Sequence, residues 1–228
     1  MNRIGFLIPT RSEAKGVPEG CTVVAGFGPG KSSSCAAAAD LIFNRHCDTV
    51  IIWGTAGSLN SSLHTGDIVV AGRTAHKDFS LEPLPDTRGL GDVPEFSEGD
   101  FWHTLDQPLA EALLAAVRKV FPDHHALIGP VCSGDIFDPA AARGNPIEAQ
   151  AFAVDMETSA VAEFCHRLKH KCGMPIRFGT IRVLSNNADT DDSATATSDF
   201  TQFLTLLAQM NAKLPTLQLA IEQEVVSD

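Results

Sequence analysis

The chain has 228 residues and a formal net charge of −11, from 17 basic and 28 acidic side chains. This charge opposes binding along nucleic-acid phosphates, and a small-molecule ligand fits it better. No apolar run approaches the roughly 20 residues that cross a bilayer, and 44% apolar residues is typical of a globular protein. We therefore expect a single domain over residues 1–228, with neither a nucleic-acid nor a membrane partner.

The six cysteines are scattered along the chain without a Cys-x-x-Cys pair. This spacing indicates reduced thiols rather than disulfides or a metal cluster, and it predicts a cytoplasmic protein. The apolar run near the N-terminus has no small-residue cleavage site after it, so it is interpreted as a first strand rather than a signal peptide.

Short apolar runs predict strands that are buried on both faces of a sheet. They span residues 4–9, 21–26, 49–54, 67–72, 152–157 and 176–185. Helical patterns lie between them, at residues 31–46, about 105–121, 157–171 and about 198–213. Alternating elements of this kind predict an α/β fold, with a mostly parallel or mixed sheet between layers of helices.

The stretch AGFGPGKSSS, residues 25–34, lies between a predicted strand and a predicted helix, as a phosphate-binding loop would. Such a loop directs consecutive backbone N–H groups at its ligand, and Pro29 has no N–H. The next strand also ends in Gly and Thr, not in the Asp that would hold magnesium. The stretch alone thus predicts either a tight turn before a helix or a loop for another ligand.

Four further segments follow in a characteristic order: WGTAGSLNSSLHTGDIVVAG (53–72), CSGDIFD (132–138), AVDMETSAVAEFCHR (153–167) and TIRVLSNNAD (180–189). Together they resemble the nucleoside phosphorylase/nucleosidase superfamily, most closely its methylthioadenosine/S-adenosylhomocysteine nucleosidase branch. The resemblance runs from about residue 3 to about residue 205. It implies one three-layer α/β domain with a central mixed, barrel-like sheet flanked by helices, assembled as a homodimer or higher homo-oligomer.

Two glutamates match the family's reactive carboxylates. Glu157 matches the one that holds the ribose hydroxyls, with Met156 as the apolar floor under the sugar. Glu13 matches the one that accepts a proton from the attacking water. Without the resemblance, Glu157 would only place negative charge at a helix N-terminus, and Glu13 would be an exposed loop residue.

Other positions match the family's nucleoside pocket. Thr55, Ala56 and Gly57 stand where the family has Ser-Ala-Gly at the floor of the site. Phe137 resembles the aromatic side chain that stacks on the purine; the less favoured alternative is an ordinary core residue. Asp138 follows it, where the family uses backbone groups to read the edge of the base.

The resemblance also reinterprets the glycine-rich stretch. Pro29 falls beside the 5′-substituent of the ribose, and Gly28 and Gly30 allow close backbone approach. Lys31 is expected to face solvent. His76 is expected to be a hydrogen-bonded structural histidine.

The chain departs from the nucleosidase branch at Asn186. The branch has an Asp there, the general acid that protonates purine N7, and losing a general acid costs about 10²–10⁴-fold. Three interpretations stay open: Asn186 reads the O6 and N7 edge of a 6-oxopurine, Asp189 supplies the acid, or the protein binds nucleosides without efficient turnover. Ser185 is expected to position the loop of Asn186.

The resulting prediction is a purine nucleoside N-ribosyl hydrolase with no metal and no organic cofactor. Hydrolysis is favoured over phosphorolysis because residues 49–59 contain no arginine, which a phosphorylase would use there to hold phosphate. A nucleoside phosphorylase and a non-catalytic nucleoside-binding protein are the alternatives.

Overall fold

The computed structural model describes residues 3–78, 102–136, 146–186 and 196–226. Within these residues one sheet is formed by eight strands, β1–β8, at Ile4–Ile8, Val23–Ala25, Thr49–Ser58, Ile68–His76, His103–Thr104, Ala126–Ser133, Ala153–Asp155 and Arg177–Leu184. The α-helices of the same residues, α1–α5, span Lys31–Ala39, Gln107–Val120, Thr158–Cys172, Ala196–Asn211 and Leu214–Val226.

The sheet closes on itself as a five-stranded barrel. Strand β8 pairs in parallel with β3 and antiparallel with β4. The ring continues from β4 to β6, from β6 to β7 and from β7 back to β3. Strands β1 and β2 extend the sheet beside β3, and β5 adds to β4. The predicted α/β fold with a mixed, barrel-like sheet is confirmed.

Both faces of the central strands are covered, which explains why most positions of the predicted runs are apolar. Ile51 and Trp53 of β3 pack in one core cluster with residues of α2, α4 and α5. Val50 and Ile52, which point the other way, pack in a second cluster with residues of α1 and α3. A strand between two such clusters needs an apolar side chain at each position.

Sequence analysis missed strand β6 because Gly129 and Pro130 interrupt its apolar pattern. The strand tolerates them through an irregularity in its partner: the register of β4 shifts between Ala71 and Arg73, opposite Gly129 and Pro130. Proline cannot donate to the ladder and occurs in sheets at such bulges. The two-residue strand β5 was also missed.

Helix α5 was missed although its pattern is visible. Leu214, Leu217 and Ile221 are buried in the first core cluster and have helical spacing. The predicted helix at 31–46 is instead α1 followed by a π-helical turn at Asp40–Asn44.

Two further observations bear on the expectations from composition. All six cysteines lie in described residues and are free of disulfides. Among the described helices, none has the length and apolar character that a membrane span requires.

We expect Leu109→Ala to lower the free energy of unfolding by about 2–5 kcal/mol, because it leaves a cavity in the core. Leu109 of α2 is 0% exposed and packs in the first core cluster. The control is Leu219→Ala, the same chemical change at a side chain that is 59% exposed, for which we expect a change within about 0.5 kcal/mol. Urea denaturation measures both, and equal losses would contradict the assigned core.

Candidate active site

Strand β8 carries a fully buried arginine, Arg182, into the interior. Its Nη2 lies 2.7 Å from Asp155 Oδ2 and 3.0 Å from Glu157 Oε2. Its Nη1 donates to the carbonyl oxygen of Thr55 at 3.3 Å. A buried charge is tolerated only where it is paired and hydrogen-bonded. Burial alone would lower the pKa of Arg182, but the surrounding carboxylates raise it above its ordinary value, so the guanidinium stays charged.

Asp155 bonds both to the start of helix α3 and to Arg182. Its Oδ1 accepts hydrogen bonds from the backbone N–H groups of Glu157 and Thr158, both at 3.1 Å, and from the hydroxyl of Ser133. The first N–H groups of a helix have no partner within the helix, and a carboxylate there satisfies them. The same side chain therefore orients the segment that carries Glu157 and neutralises Arg182.

Glu157 is 4% exposed and lies between Arg182 and the turn before α1. Its Oε1 accepts from the N–H of Gly30 at 3.1 Å, and its Oε2 faces Arg182. Burial raises the pKa of the Glu157 carboxyl above its ordinary value, to about 7, against the opposing effect of Arg182.

Glu13 is buried, at 6% exposure, so the alternative of an exposed loop residue is wrong. Its Oε2 accepts from the N–H and hydroxyl of Thr10 at 3.1 and 2.7 Å. Its Oε1 accepts from the N–H and hydroxyl of Thr55, each at 2.9 Å. A Cβ atom on Gly54 would lie 3.0 Å from Glu13 Oε1 and 3.1 Å from Arg182 Nη1. The Glu13 carboxylate and the Arg182 guanidinium therefore both lie next to the space that a side chain at Gly54 would fill.

Two carboxylates occupy the N-terminus of helix α1. Besides the bond from Gly30 to Glu157, the N–H of Lys31 donates to Asp135 Oδ1 at 2.9 Å. The ammonium of Lys31 pairs with Asp78, whose other oxygen accepts from the N–H of Asp135 at 2.8 Å. The expectation that Lys31 faces solvent holds only in part, because its side chain is 21% exposed and is held by this ion pair. Two of the amides that could bind an external phosphate, those of Gly30 and Lys31, are already bonded to the protein's own carboxylates.

The sequence model of the phosphorylase superfamily matches residues 13–220 of this chain. The chain belongs to this superfamily. The 5′-methylthioadenosine/S-adenosylhomocysteine nucleosidase of Pseudoalteromonas translucida is 33% identical over 144 residues, which are 62% of this chain and 59% of that relative. The match thus spans less than two thirds of the relative's length.

Solved structures of the superfamily share the fold over nearly the whole chain. The 5′-methylthioadenosine/S-adenosylhomocysteine nucleosidase of Neisseria meningitidis, in complex with methylthio-immucillin-A, is 26% identical with a TM-score of 0.70, covering 97% of this chain and 98% of that one. The futalosine hydrolase of Helicobacter pylori strain 26695 has a TM-score of 0.72, covering 98% of each chain. Its identity is 24%, so this likeness concerns the fold.

Several residues that the superfamily resemblance singled out lie next to one another. The N–H and hydroxyl of Ser185 donate to the carbonyl oxygen of Ala56, at 2.9 and 3.2 Å. Asn186 is half-buried and follows Ser185 just after the end of β8. The bonds of Ser185 therefore connect the end of β8 to Thr55, Ala56 and Gly57, the residues predicted to form the floor of the nucleoside site. Gly57 pairs with β7, the strand that leads to Glu157.

The remaining predicted residues divide into two groups. Met156 is half-buried, and its N–H donates to Glu157 Oε2 at 3.3 Å. Pro29 is exposed, one residue before the Gly30 that bonds Glu157. The other group lies outside the described residues and comprises Phe137, Asp138 and Asp189.

His76 has the structural role that sequence analysis expected. Its Nδ1 is 2.8 Å from the hydroxyl of Ser159, and its Nε2 is 3.2 Å from Glu163 Oε2. These bonds tie β4 to helix α3.

Neither Arg182 nor Asp155 was assigned a role from the sequence, although both lie in segments that carry the family resemblance. An arginine between apolar residues in the second half of a predicted strand was the available signal, because such a side chain needs an acidic partner when buried. Residues 49–59 themselves contain no arginine, as noted from the sequence, but a neighbouring strand places one beside them. Strand β8 pairs with β3 so that Arg182 stands opposite Gly54.

We expect Arg182→Met to lower the free energy of unfolding by about 3–5 kcal/mol, because Asp155 and Glu157 would be left as uncompensated buried charges. The control is Arg177→Met on the same strand. Arg177 also pairs with a carboxylate, Asp106, at 2.8 Å, but both side chains are about 30% exposed, and we expect a cost of about 1 kcal/mol or less. Urea denaturation at pH 8 measures both, and an equal effect would refute the special role of the buried pair.

Proposed function

We propose that this chain is a purine nucleoside N-ribosyl hydrolase, which uses water to cleave the bond between ribose C1′ and the purine. One observation carries the proposal. Two buried carboxylates, Glu13 and Glu157, both lie close enough to Arg182 to raise its pKa, but their surroundings differ: four neutral donors hold Glu13, whereas a guanidinium pairs with Glu157. Carboxylates in different environments are suited to different roles in one reaction.

Glu13 is the proposed general base. A water oxygen forms a bond to C1′ while the C1′–N9 bond breaks, and the electron pair of that bond leaves with the purine. The proton of the water passes to Glu13. The bonds from Thr10 and Thr55 hold the carboxylate in one orientation, which favours a fixed line of attack.

Glu157 is the proposed ribose ligand. A carboxylate can accept from both the 2′- and 3′-hydroxyls, and its negative charge stabilises the positive charge that the sugar ring develops in the transition state. Met156 would pack under the sugar and Pro29 beside its 5′-substituent. The bond between Glu157 and Gly30 supports this assignment of Pro29, because it brings the glycine turn against the proposed ribose site.

Water is favoured over phosphate as the attacking group. Arg182 is shared by Asp155 and Glu157, and Glu13 adds a third carboxylate nearby, so the cluster repels an anion. Two amides at the N-terminus of α1, those of Gly30 and Lys31, are bonded to carboxylates as well. The two relatives with 33% and 26% identity, both named nucleosidases, support the same choice.

Asn186 is the residue we assign to the edge of the base. Its amide can donate to O6 of a 6-oxopurine nucleoside such as inosine or futalosine, and it can accept from N7–H once the leaving hypoxanthine is protonated there, whereas an Asp suits adenine. The bonds from Ser185 to Ala56 support a fixed position for the start of this segment. Phe137 as the stacking residue, Asp138 at the base edge and Asp189 as an alternative acid remain predictions from the family resemblance.

We further propose a homodimer or higher homo-oligomer in the cytoplasm. The side chains of Phe27 and Ile136 are 49% and 62% exposed, on segments joined through the bond between Lys31 and Asp135. Apolar side chains exposed together suit a subunit contact, and the free thiols suit a reducing compartment. Light scattering after size-exclusion chromatography measures the assembly, and a monomer at micromolar concentration would contradict it.

The decisive assay detects free base by chromatography from methylthioadenosine, S-adenosylhomocysteine, inosine and futalosine, each with and without phosphate. Release without phosphate supports the hydrolase. Release only with phosphate would instead identify a phosphorylase. Thermal stabilisation by nucleosides without any release would identify a non-catalytic binding protein.

We expect Glu13→Gln to lower the rate of base release by at least about 100-fold, because an amide cannot accept the proton of the attacking water. The dissociation constant of the nucleoside, measured by calorimetry, should change by less than about threefold. Glu19→Gln is the matched control, since Glu19 is exposed on the same segment, and its activity should equal that of the wild type. Wild-type turnover by Glu13→Gln would remove Glu13 from the mechanism.

We expect Asn186→Asp to shift the ratio of kcat/KM for inosine over adenosine toward adenosine by about tenfold or more, because the carboxyl can donate a proton to N7 of a 6-aminopurine. Asn44→Asp, the same change at an exposed position, controls for the added charge. An unchanged ratio would exclude Asn186 from the base site.

A further inference from the structure

Helix α4 ends at Asn211, a fully buried asparagine that bonds directly to the turn carrying Glu13. Its Nδ2 donates to the backbone carbonyl oxygens of Glu13 and Lys15, at 2.6 and 2.7 Å. Its Oδ1 accepts from the indole Nε1–H of Trp53 at 2.7 Å. The side chain therefore joins α4, strand β3 and the Glu13 turn at a single point.

The orientation of the Asn211 amide follows from the chemistry of its partners. The Trp53 indole can only donate, so it requires the oxygen of the amide, and two carbonyl oxygens can only accept, so they require the NH₂ group. Both protons of the NH₂ group are used on the turn. Neither an aspartate nor a leucine at this position could make the same three bonds.

Strand β3 thus holds Glu13 at two points. Thr55 bonds its carboxylate, whereas Trp53, two residues earlier, holds its backbone through Asn211. Helix α4 also touches the turn directly, because a Cβ atom on Gly16 would lie 2.5 Å from the carbonyl oxygen of Ala208. Gly16 has a φ of 83°, which glycine adopts without strain.

We infer that Asn211 is a positioning residue for the general base: it determines where the Glu13 carboxylate lies, without touching the substrate. This inference rests on the proposed role of Glu13. Asn211 has no exposed surface, so it cannot touch the substrate, and its bond to the backbone of Glu13 gives it a direct hold on the position of that residue. A misplacement of about 1 Å in a reacting group can cost about 100-fold in rate.

The test is Asn211→Leu, which removes both bonds to the turn. We expect kcat for the nucleoside hydrolysed fastest by the wild type to fall by roughly 10- to 100-fold, with KM within about threefold. Leu207→Ala is the matched control: Leu207 is 1% exposed on the same helix and also stabilises its packing, but it belongs to the core cluster rather than to the turn. All rates are measured at a temperature where each variant is folded, as checked by circular dichroism.

A double-substitution cycle with Glu13→Gln separates positioning from general damage. When Glu13 no longer acts as base, Asn211→Leu should cause no further loss of the residual rate. The inference is overturned if Asn211→Leu lowers the residual rate of Glu13→Gln by the same factor as it lowers the wild-type rate. It is also overturned if Leu207→Ala lowers kcat as much as Asn211→Leu does. If Asn211→Leu does not fold, Asn211→Asp replaces it, since it keeps the side-chain shape and an acceptor for Trp53.

The outcomes distinguish this inference from the proposed function. A fully active Asn211→Leu beside an inactive Glu13→Gln refutes the positioning role alone. A fully active Glu13→Gln refutes the assignment of the base, and with it the reason for positioning that residue.

Discussion

The charge of Arg182, buried without any exposed surface, is the constraint on which the site depends. A guanidinium in the interior requires carboxylates close by, and the chain supplies them from the segment of β7 and the start of α3. Strand β8 holds the arginine between β3 and β4, and β7 closes the ring against β3. Closure of the barrel and neutralisation of the charge therefore require each other.

The same cluster determines what kind of ligand the site can accept. A helix N-terminus and an arginine are both groups that attract anions. In this chain Glu157 bonds to both of them, and Asp135 takes a further amide of the helix. With its positive groups already paired, the site suits a neutral sugar and a water molecule better than phosphate, which is the physical basis of the proposed hydrolysis.

Much of the fold could be predicted because burial on both faces leaves a local signal. The strands β1, β3, β4 and β8 all contain apolar runs, and the alternation of β3 between two core clusters explains why. Strand β6 could not be recognised, since Pro130 is acceptable only opposite the irregularity in β4, which lies more than 50 residues earlier in the chain. Helix α5 is different, because the helical spacing of its apolar residues is visible in the sequence although the helix was not predicted.

The candidate site was predictable in part, through motifs rather than through geometry. The order of the segments around Glu157 and Ser185 pointed to the superfamily, and the match over residues 13–220 bears this out. The pattern around Glu13 carried no sign of burial, since its neighbours are polar and its partner Thr55 is 42 residues away. Asn211, 198 residues from Glu13, gave no local signal at all.

The sequence by itself determined the alternation of strands and helices, the supply of acidic groups and the amide at Asn186 where the nucleosidase branch has a carboxyl. Only the tertiary structure decided which carboxylates share Arg182, that Glu13 is buried, and that Lys31 pairs with Asp78. The physical reason is the range of the interactions. Periodicity depends on neighbours along the chain, whereas the pairing of a buried charge depends on strands that meet only when the barrel closes.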